Sequence, residues 1–552
     1  MPGRRSFQVD RARCQALAED LERRTRALPA VLRLGSSNDP DGVHRANASG
    51  TRFETSQMEM NMRSATLAVL ALLLPAGALS PQDSSTDYRE PYQQRALDIY
   101  RDLIGYRSAA SHEQVPAVAR YLADRFRAGG FPDGDVHVLP LTTPDGESTA
   151  SLVVRYRGDG SSQRKPILLL AHTDVVDALP EDWDRDPFTL VEEDGYFFGR
   201  GTFDDKFGVT MLTATFLRLK EEGFVPGRDL ILAFTGDEET AMLTARSLVT
   251  DHRELTDAEY ALNADAGGGV LSEDGHPLRF LVQTSEKTYA TFELTVTNPG
   301  GHSSTPRPDN AIYELATALK SLESYRFPVR MNDATRLYFE AASRITEGEV
   351  GEAMRRLAAD PQDAWAAEVL WNEPEQVGIT RTTCVATMLR GGHAENALPQ
   401  SATATVNCRI FPGVEVTEVE QTLQQLVGPA VEVEVLGEPT ASLASPVRDD
   451  VMAAVAQGVE KIRPGTPIIP LMAPYGTDGK EIRQGGIPTY GIMGIFIKES
   501  DQFAHGLNER VSVRAFYDGL EFWYTILQAV GGMNTPGTPG EVPGVGSGSG
   551  GR

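Results

Sequence analysis

Histidine and carboxylate side chains follow directly after two apolar runs of this chain. The stretch Ile167 to Asp174 is ILLLAHTD, so His172 and Asp174 come at the end of five apolar residues. Alternate residues of a strand share a face, so these two side chains are expected on the same side. A carboxylate in this position can hold the second ring nitrogen of a metal-binding histidine and fix its tautomer. The alternative is a polar strand end that enters a loop.

Four more candidates for metal binding occupy similar places. Glu239 follows the apolar run at 229–235, and Asp265 precedes three glycines. Asp204 precedes a predicted helix, and His505 lies in a polar loop. Two histidines and three carboxylates suit zinc, cobalt or manganese and are enough for two ions that share one carboxylate. The five candidate ligands are His172, Asp204, Glu239, Asp265 and His505.

Glu238 and the adjacent pair Asp204 and Asp205 have further interpretations. Glu238 precedes a candidate ligand and is placed to take a proton from an attacking water as a general base. Asp204 and Asp205 start a predicted helix, so N-capping is the alternative for them. Capping requires one aspartate, and it does not require the glycines that precede the pair.

The elements that position these residues alternate between strands and helices. Apolar runs without polar alternation are typical of buried parallel strands, whose carboxyl ends carry the chemistry of open α/β sheets. The pattern changes after residue 285 to alternating strands, followed by a mainly helical stretch at 325–380. We expect an inserted α+β domain at 286–410 between two parts of a catalytic domain at 91–285 and 411–531. The second part is predicted to begin with helix 416–427 and strand 431–436, and 470–478 is predicted as a loop.

Composition limits the function classes. The 552 residues include 77 acidic and 52 basic side chains, for a net charge of −25. This length allows two or three domains, and this charge argues against a nucleic-acid partner. The three cysteines, Cys14, Cys384 and Cys408, form no CxxC pair. A disulfide between the last two is left open.

The amino-terminal region contains a signal-like segment. Methionines 58, 60 and 62 precede an apolar run at about 65–74 and the small residues Ala76-Gly-Ala78. This arrangement is typical of a secretory signal peptide, here assigned to 58–80, and the run is short for a membrane span. We expect translation to start at one of these methionines, which leaves 1–57 untranslated. An uncleaved membrane anchor is the alternative. Residues 81–90 are expected to form a linker, and the Gly- and Pro-rich 532–552 a disordered tail.

Several motifs in order resemble a known family. The chain contains HTDVV, GRGTFDDK, GDEE, Asp265 before GGG, GGHSS, an Asn-x-x-Pro…Arg pair and AHGLNE. Together, over about 90–531, they resemble the M20 family of co-catalytic zinc metallopeptidases. That family includes carnosinase-like dipeptidases, carboxypeptidase S and aminoacylase. The resemblance implies an α/β fold, with a zinc-peptidase-like mixed sheet flanked by helices and a smaller inserted lid and dimerisation domain.

The resemblance also implies roles for individual residues. His172 and Asp265 would hold one zinc ion, and Glu239 and His505 would hold the other. The Asp204 carboxylate would bridge the two ions. The peptide between Asp204 and Asp205 is often cis in such enzymes. Asp174 would orient His172, and Glu238 would be the general base.

Residues of the inserted domain would complete the site. His302 resembles a histidine that stabilises the oxyanion, commonly supplied by the partner subunit of a homodimer. Arg409 and Asn396 resemble residues that bind the substrate's free carboxylate. Tyr475 to Asp478 resembles a loop that lines the substrate pocket.

The expected function is hydrolysis of an amide bond next to a free carboxylate by a two-metal enzyme. Zinc is the expected metal, with cobalt or manganese as alternatives. A dipeptide or a peptide carboxyl terminus is the first-choice substrate, and an N-acyl amino acid is the alternative. A metal-binding or peptide-binding protein without catalysis is a remote alternative, against which Glu238 argues. The enzyme is expected to be exported, as a periplasmic or secreted protein without a stable membrane span after signal cleavage.

Overall fold

The described part of the chain, in a computed structural model, comprises Tyr88 and residues 90–532. The predicted upstream segment and signal peptide, nearly all of the predicted linker, and the predicted tail beyond Gly532 lie outside it. Among the described residues, no helix is long and apolar enough to cross a membrane.

The first part of the chain builds most of a central sheet and the helices that cover it. Its helices are α1 (Pro91–Ile104), α2 (Val115–Ala128), α3 (Lys206–Glu221), α4 (Leu243–Thr250) and α5 (Arg253–Thr256). Its strands are β1 (Val136–Thr142), β2 (Ser148–Tyr156), β3 (Ile167–His172), β4 (Val191–Glu193), β5 (Tyr196–Phe198), β6 (Leu230–Thr235), β7 (Tyr260–Asn263), β8 (Gly268–Leu271) and β9 (Pro277–Glu286).

Strand β3 is covered on both faces, which explains its unbroken apolar run. Leu169 packs into the larger core with helices α1 and α3, whereas Leu168 and Leu170 pack into a smaller core on the opposite face. All six residues of the strand are buried. A strand buried on both faces needs no polar alternation, so the prediction of a buried parallel strand is confirmed.

The inserted domain has its own sheet and core. After β10 (Thr288–Thr297) and β11 (Gly301–His302), it contains the helices α6 (Ala311–Ser324), α7 (Asp333–Ala342), α8 (Gly348–Ala359), α9 (Ala364–Trp371) and α10 (Pro374–Thr380). It continues with β12 (Thr383–Gly391), β13 (Ala397–Leu398), β14 (Ser401–Ile410), α11 (Val416–Val427) and β15 (Glu432–Leu436). Four strands form an antiparallel sheet in the order β12-β14-β10-β15.

The predicted end of the inserted domain at residue 410 is wrong. Strand β15 pairs with β10 in the second sheet, with Phe292 opposite Val435. Helix α11 packs on α6, and its Val419 and Leu423 belong to the core of the inserted domain. An amphipathic helix followed by an alternating strand fits either domain, so the sequence pattern could not decide between them. The inserted domain therefore spans 288–436, and this name is used for those residues below.

The chain then returns to the central sheet. The last elements are α12 (Asp449–Ile462), β16 (Ile468–Ala473), α13 (Gly479–Gln484), β17 (Thr489–Gly491), β18 (Phe496–Lys498), β19 (Arg510–Ser512) and α14 (Val513–Gly531). The sheet has ten strands in the order β1-β2-β6-β3-β7-β17-β9-β8-β18, with β16 paired to β9. Parallel pairing joins β6, β3, β7 and β17. The fold is thus the mixed α/β sheet that was expected.

Residues 470–473 form part of strand β16 and not the predicted loop. Pro470 made a strand improbable, because proline donates no ladder hydrogen bond. Strand β16 pairs with β9 alone among the described strands, so it is an edge strand, where a proline is tolerated.

A disulfide joins two neighbouring strands of the inserted domain. Cys384 of β12 lies directly opposite Cys408 of β14, and the two residues are bonded. The question of their pairing, left open by the sequence, is answered in the structure.

Candidate metal centre

Five side chains converge at one edge of the central sheet. His172 ends β3, Glu239 follows β6, and Asp265 follows β7, so three parallel strands deliver their ligands at their carboxyl ends. Asp204 comes from the loop before α3, and His505 from the loop before β19. The metal-ligand cluster, as we call these five residues, is therefore assembled from the end of one strand and four separate loops.

The donor atoms of the cluster lie 3.0–3.6 Å from their neighbours. Nε2 of His172 is 3.0 Å from Oδ1 of Asp204 and 3.6 Å from Oδ1 of Asp265. Nε2 of His505 is 3.0 Å from Oδ2 of Asp204 and 3.0 Å from Oε1 of Glu239. Asp204 thus belongs to both groups through different oxygens, as a bridging carboxylate requires.

These distances and donor types fit two metal ions. Tetrahedral donors about 2.0–2.1 Å from a zinc ion are roughly 3.3 Å apart, which matches the donor separations found here. Neutral imidazole and carboxylate oxygen suit zinc, cobalt and manganese. Two groups of three donors within 4.8 Å of one another share Asp204: His172 with Asp265, and Glu239 with His505. The five side chains that the sequence analysis singled out are brought together.

Asp174 supports the cluster differently from the expectation. Nδ1 of His172 lies 3.0 Å from the backbone oxygen of Asp174 and 3.5 Å from its carboxylate. The carboxylate instead accepts a hydrogen bond of 3.0 Å from the backbone N–H of Glu239. Asp174 therefore orients His172 mainly through its backbone and holds the loop of a second ligand with its side chain.

Glu238 is positioned as a buried acid beside the cluster. Its side chain is 9% exposed and lies within 4.8 Å of donor atoms of His172 and Glu239. Burial raises the pKa of Glu238 well above its usual range, and the nearby charge of His172 opposes this shift. The negative charges of Asp265, Asp478 and Glu239 raise the pKa further. A carboxylate with a raised pKa is a stronger base than an ordinary carboxylate, which suits Glu238 to accept a proton.

The loop that carries Asp204 is held by a residue that the sequence analysis did not assign. Glu509 is completely buried and pairs with Arg200 at 2.6 Å. Its carboxylate accepts from the backbone N–H groups of Gly201, Phe203 and Asp204 at 2.7–3.2 Å. The motif AHGLNE contains Glu509, but only the fold reveals that it contacts residues some three hundred positions earlier.

Of the two adjacent aspartates, one caps a helix and the other points towards the metal-ligand cluster. Asp205 caps α3, because its carboxylate accepts from the N–H of Gly208 at 3.1 Å. Asp204 points into the cluster, and the peptide between the two residues is cis. Capping and metal binding were considered as alternatives, and the structure places one residue of the pair in each position.

His302, Asn396 and Arg409 are not brought to the cluster within one chain. His302 and Asn396 are exposed near the two-stranded ribbon of β11 and β13, where Ser303 donates to the Asn396 carbonyl at 3.0 Å. Arg409 lies on β14 of the inserted domain, with its guanidinium 4.7 Å from the ring centre of Tyr289. None of the three lines the cavity at the cluster.

An aliphatic recess opens directly on the cluster. A cavity of about 470 Å³ is lined by aliphatic residues and by a polar side made of Asp204, Glu238, Glu239, Asp265, His505, Tyr475, Thr477 and Gln502. The apolar recess, as we call its aliphatic part, consists of Val270, Leu281, Leu471, Met493, Ile495 and Ile497. A cavity of this size is typical of small-molecule sites.

A mixed sheet with an inserted domain and a two-metal cluster at the strand ends defines a metal-dependent hydrolase. The sequence model of Peptidase family M20/M25/M40 matches residues 168–529, and the chain belongs to this family. The predicted family, enzyme class and fold are thereby confirmed.

Proteins with similar sequences include an N-fatty-acyl-amino acid synthase/hydrolase and an aminoacylase. The chain is 30% identical to N-fatty-acyl-amino acid synthase/hydrolase PM20D1 of Xenopus tropicalis, over 67% of this chain and 73% of that protein. It is 27% identical to aminoacylase-1 of Mus musculus, over 81% of this chain and 97% of that protein.

Solved structures of the same fold have lower sequence identity. The M20 family metallo-carboxypeptidase Sso-CP2 of Sulfolobus solfataricus has a TM-score of 0.60 at 18% identity and covers 79% of this chain and 99% of its own. YXEP of Bacillus subtilis, described as a dinuclear metal binding peptidase, has a TM-score of 0.51 at 12% identity and covers 80% and 98%.

Proposed function

We propose that this protein is a two-zinc amidohydrolase that cleaves N-acyl amino acids with an aliphatic acyl chain. The observation that carries this proposal is the apolar recess next to the metal-ligand cluster. The first-choice substrate from the sequence was a dipeptide or a peptide carboxyl terminus. The recess favours the alternative substrate, because its aliphatic wall offers no partner for the charged amine of a dipeptide.

The recess fits an acyl chain in both size and chemistry. Its side chains come from four strands and the connection before β18, so the wall is built on the sheet and not on a mobile loop. Burial of each methylene contributes about 0.8 kcal/mol. A longer chain is therefore expected to improve binding until the recess is filled. The name of the Xenopus relative, an N-fatty-acyl-amino acid synthase/hydrolase, supports the same substrate class.

The roles of the polar residues follow from their positions. His172 and Asp265 would hold one zinc ion, Glu239 and His505 the other, and Asp204 both. Zinc supplies Lewis-acid chemistry that polarises the scissile carbonyl and lowers the pKa of the attacking water. The Glu238 carboxylate takes a proton from that water and delivers it to the nitrogen of the departing amino acid. Its raised pKa suits both transfers.

The site is proposed to be completed by a second copy of the chain. Exposed apolar side chains cluster on α6 and the edge strand β12, including Tyr313 at 71% and Leu389 at 66% exposure. An edge strand with exposed apolar residues is a ready surface for pairing with another chain. We assign this surface to a homodimer in which His302 of one subunit serves the site of the other.

Export is proposed from two observations. The segment at 58–80 has the pattern of a secretory signal peptide. A disulfide such as that between Cys384 and Cys408 is typical of proteins in an oxidising compartment, because cytosolic thiols are kept reduced.

A substrate series tests the proposed reaction. The zinc-loaded protein is assayed with glycine conjugates of acetyl, butanoyl, octanoyl and dodecanoyl groups and with matched dipeptides. We expect kcat/KM to rise about fourfold per methylene until the recess is filled, and Glu238→Gln to lower kcat by about 10²–10⁴-fold. Efficient cleavage of dipeptides but not of long acyl conjugates would reverse the order of the two substrate classes.

A substitution in the recess, with a matched control elsewhere, distinguishes the loss of acyl-chain binding from a general loss of activity. Ile497 lies partly buried on the edge strand β18, and Ile345 is exposed in the inserted domain. Ile497→Gln is expected to flatten the dependence on chain length while the acetyl conjugate is cleaved as before. Ile345→Gln should retain the slope of the native protein. A slope that survives in Ile497→Gln would show that the acyl chain binds elsewhere.

A further inference from the structure

The loop between β16 and α13 forms a wall of the cavity beside the metal-ligand cluster. Tyr475, Gly476 and Thr477 line the cavity. Tyr475 is 43% exposed, whereas Thr477 is only 1% exposed, so the first residue supplies surface and the second attaches the loop to the protein. The position of the cavity loop, as we call residues 474–478, therefore depends on what Thr477 binds.

The partner of Thr477 is Glu286, the last residue of β9. Glu286 is completely buried, and its Oε2 accepts hydrogen bonds of 2.8 Å from the Thr477 hydroxyl and 2.8 Å from the Gln283 amide. Its Oε1 lies 3.5 Å from the guanidinium of Arg483. The Thr477 oxygen also accepts from the backbone N–H of Gly479 at 3.1 Å. A buried carboxylate with these partners is fixed in one orientation, and so is the hydroxyl that it binds.

A second contact joins the cavity loop to the strand that precedes Glu239. The Asp478 carboxylate accepts a hydrogen bond from the hydroxyl of Thr235, the last residue of β6. Glu238 and Glu239 follow three and four residues later. The cavity loop is thus attached on one side to β9 and on the other side to a strand that delivers a metal ligand.

Strands β9 and β16 connect the cavity loop to the apolar recess. Leu281 of β9 and Leu471 of β16 belong to the recess. The two strands are parallel, with Leu471 opposite Gln283. Both run past the recess before β9 ends at Glu286 and β16 leads into the cavity loop. The carboxylate of Glu286 therefore joins the ends of two strands that carry the recess wall.

The residue after Glu286 extends this connection into the inserted domain. Lys287 is completely buried, and its backbone N–H donates to the carbonyl of Ala473 at 3.1 Å. Its ammonium group donates to the hydroxyl of Thr383 on β12 at 3.3 Å. Successive side chains of an extended chain point to opposite sides. Glu286 thus contacts the cavity loop, and Lys287 contacts the inserted sheet, where the chain passes from one domain to the other.

We propose that Glu286 is a positioning residue for the reaction, which fixes the cavity loop between the apolar recess and the metal-ligand cluster. This inference rests on the proposed function, in which an acyl chain in the recess must place its carbonyl group at the cluster. Glu286 does not line the cavity, so it acts through Thr477. A displacement of about 1 Å in a wall of this kind can reduce kcat about 100-fold, because the reacting atoms no longer meet in a reactive geometry.

Two substitutions break the contact from opposite ends. Glu286→Met removes the acceptor, and Thr477→Val removes the donor with little change in side-chain volume. With N-octanoylglycine and the zinc-loaded protein, each should lower kcat about 10- to 100-fold, while KM stays within about threefold because the recess side chains are retained. The double variant should be no slower than the slower single variant, because both substitutions remove the same contact.

Conservative variants and a matched control separate positioning from stability. The amide oxygen introduced by Glu286→Gln can still accept from Thr477, so kcat should stay within about threefold of the native value. Its melting temperature should nevertheless fall, because Arg483 loses its counter-charge. Thr477→Ser keeps the hydroxyl and should also retain kcat. The control is Glu481→Gln, since Glu481 is 3% exposed, pairs with Arg246 at 3.2 Å and does not line the cavity. It should lower the melting temperature but not kcat.

Hydrogen exchange of the cavity loop gives a readout that requires no turnover. In the zinc-loaded, ligand-free protein, the amides of residues 475–478 should exchange about tenfold faster in Glu286→Met and in Thr477→Val than in the native protein. Glu481→Gln should leave their exchange unchanged. Faster exchange in both variants, without hydrolysis of any acyl conjugate by the native protein, would keep the attachment of the loop and reject the proposed reaction.

Four results would overturn the role of Glu286. They are a native kcat in Thr477→Val, effects of the two substitutions that add in the double variant, a loss of kcat in Glu286→Gln as large as in Glu286→Met, and native exchange of the cavity loop. If Glu286→Met does not fold, the comparison of Thr477→Val with Thr477→Ser and Glu286→Gln decides the question.

Discussion

Glu509 shows how one buried residue can determine whether the metal-ligand cluster forms. Its carboxylate joins Arg200 to the backbone of the loop that presents Asp204. The bridging ligand is thus held by a carboxylate that binds no metal itself. Support of this kind commonly decides the affinity of a metal site.

Replacement of Glu509 should therefore reduce both stability and metal content. Glu509→Gln leaves Arg200 buried without a counter-charge, which is expected to lower the free energy of unfolding by about 3–5 kcal/mol. Urea unfolding and measurement of bound zinc after dialysis test this expectation. Glu499→Gln, on the exposed surface, is the control. A variant with native zinc content would show that the Asp204 loop is held by other contacts.

The buried charge of Lys287 has a consequence for stability at different pH values. In the unfolded chain the lysine is protonated below its ordinary pKa of 10.5, whereas the folded protein keeps it neutral down to about pH 7. Between these values the unfolded chain binds more protons, so the contribution of Lys287 becomes more destabilising as the pH falls from 10.5 to about 7.

Lys287→Met should remove this dependence. The gain in melting temperature over the native protein is expected to be largest at or below pH 7 and to shrink as the pH is raised towards 9 and beyond. Thermal unfolding of both ligand-free proteins across this range measures the difference. A gain that is constant with pH would mean that Lys287 does not titrate in the folded protein.

At the level of elements, the sequence predicted the strands that deliver the ligands because their signal is local. The runs at β3 and β6 are apolar throughout and are followed at once by His172 and Glu239. Their parallel pairing brings both ends to one edge of the sheet. The position of α11 and β15 in the inserted domain was not predictable, since it depends on which sheet offers a free edge.

Contacts between distant segments were the other part that the sequence did not reveal. Glu509 and Lys287 act on residues far away in the chain, and neither stands in a periodic pattern. The contact of the Asp174 carboxylate with the backbone N–H of Glu239 was also not foreseen, although the same carboxylate lies 3.5 Å from the His172 ring. Such contacts follow from the tertiary packing of loops.

The disulfide between β12 and β14 is expected to stabilise the inserted sheet at its edge. It closes a loop with a sequence separation of 24 residues. Cys384→Ser is expected to lower the free energy of unfolding by about 3 kcal/mol, mainly because the unfolded chain gains freedom. Chemical unfolding of this variant, and of the native protein with and without a reductant, measures the effect. If the reductant destabilises Cys384→Ser as much as the native protein, the effect has another origin.

At the level of the whole molecule, the proposed homodimer makes a prediction about mixed subunits. Glu238→Gln lacks the base, and His302→Ala lacks the group offered to the partner. Each variant alone should be nearly inactive. Co-expression should give mixed dimers in which one of the two sites is intact, and random pairing then restores about a quarter of native activity. No gain over the separate variants would place His302 in its own subunit's site.

The order of strands in the central sheet also affects how the protein can form during synthesis. Strand β17 lies between β7 and β9, and β18 completes the edge beside β8, although both come after the inserted domain in sequence. His505 comes later still. The ribosome therefore has to release nearly all of the chain before the sheet can close and the fifth ligand can reach the other four. If such a chain is threaded through a membrane while it is still being synthesised, its metal centre can assemble only after the crossing, and its ions are then acquired at the destination.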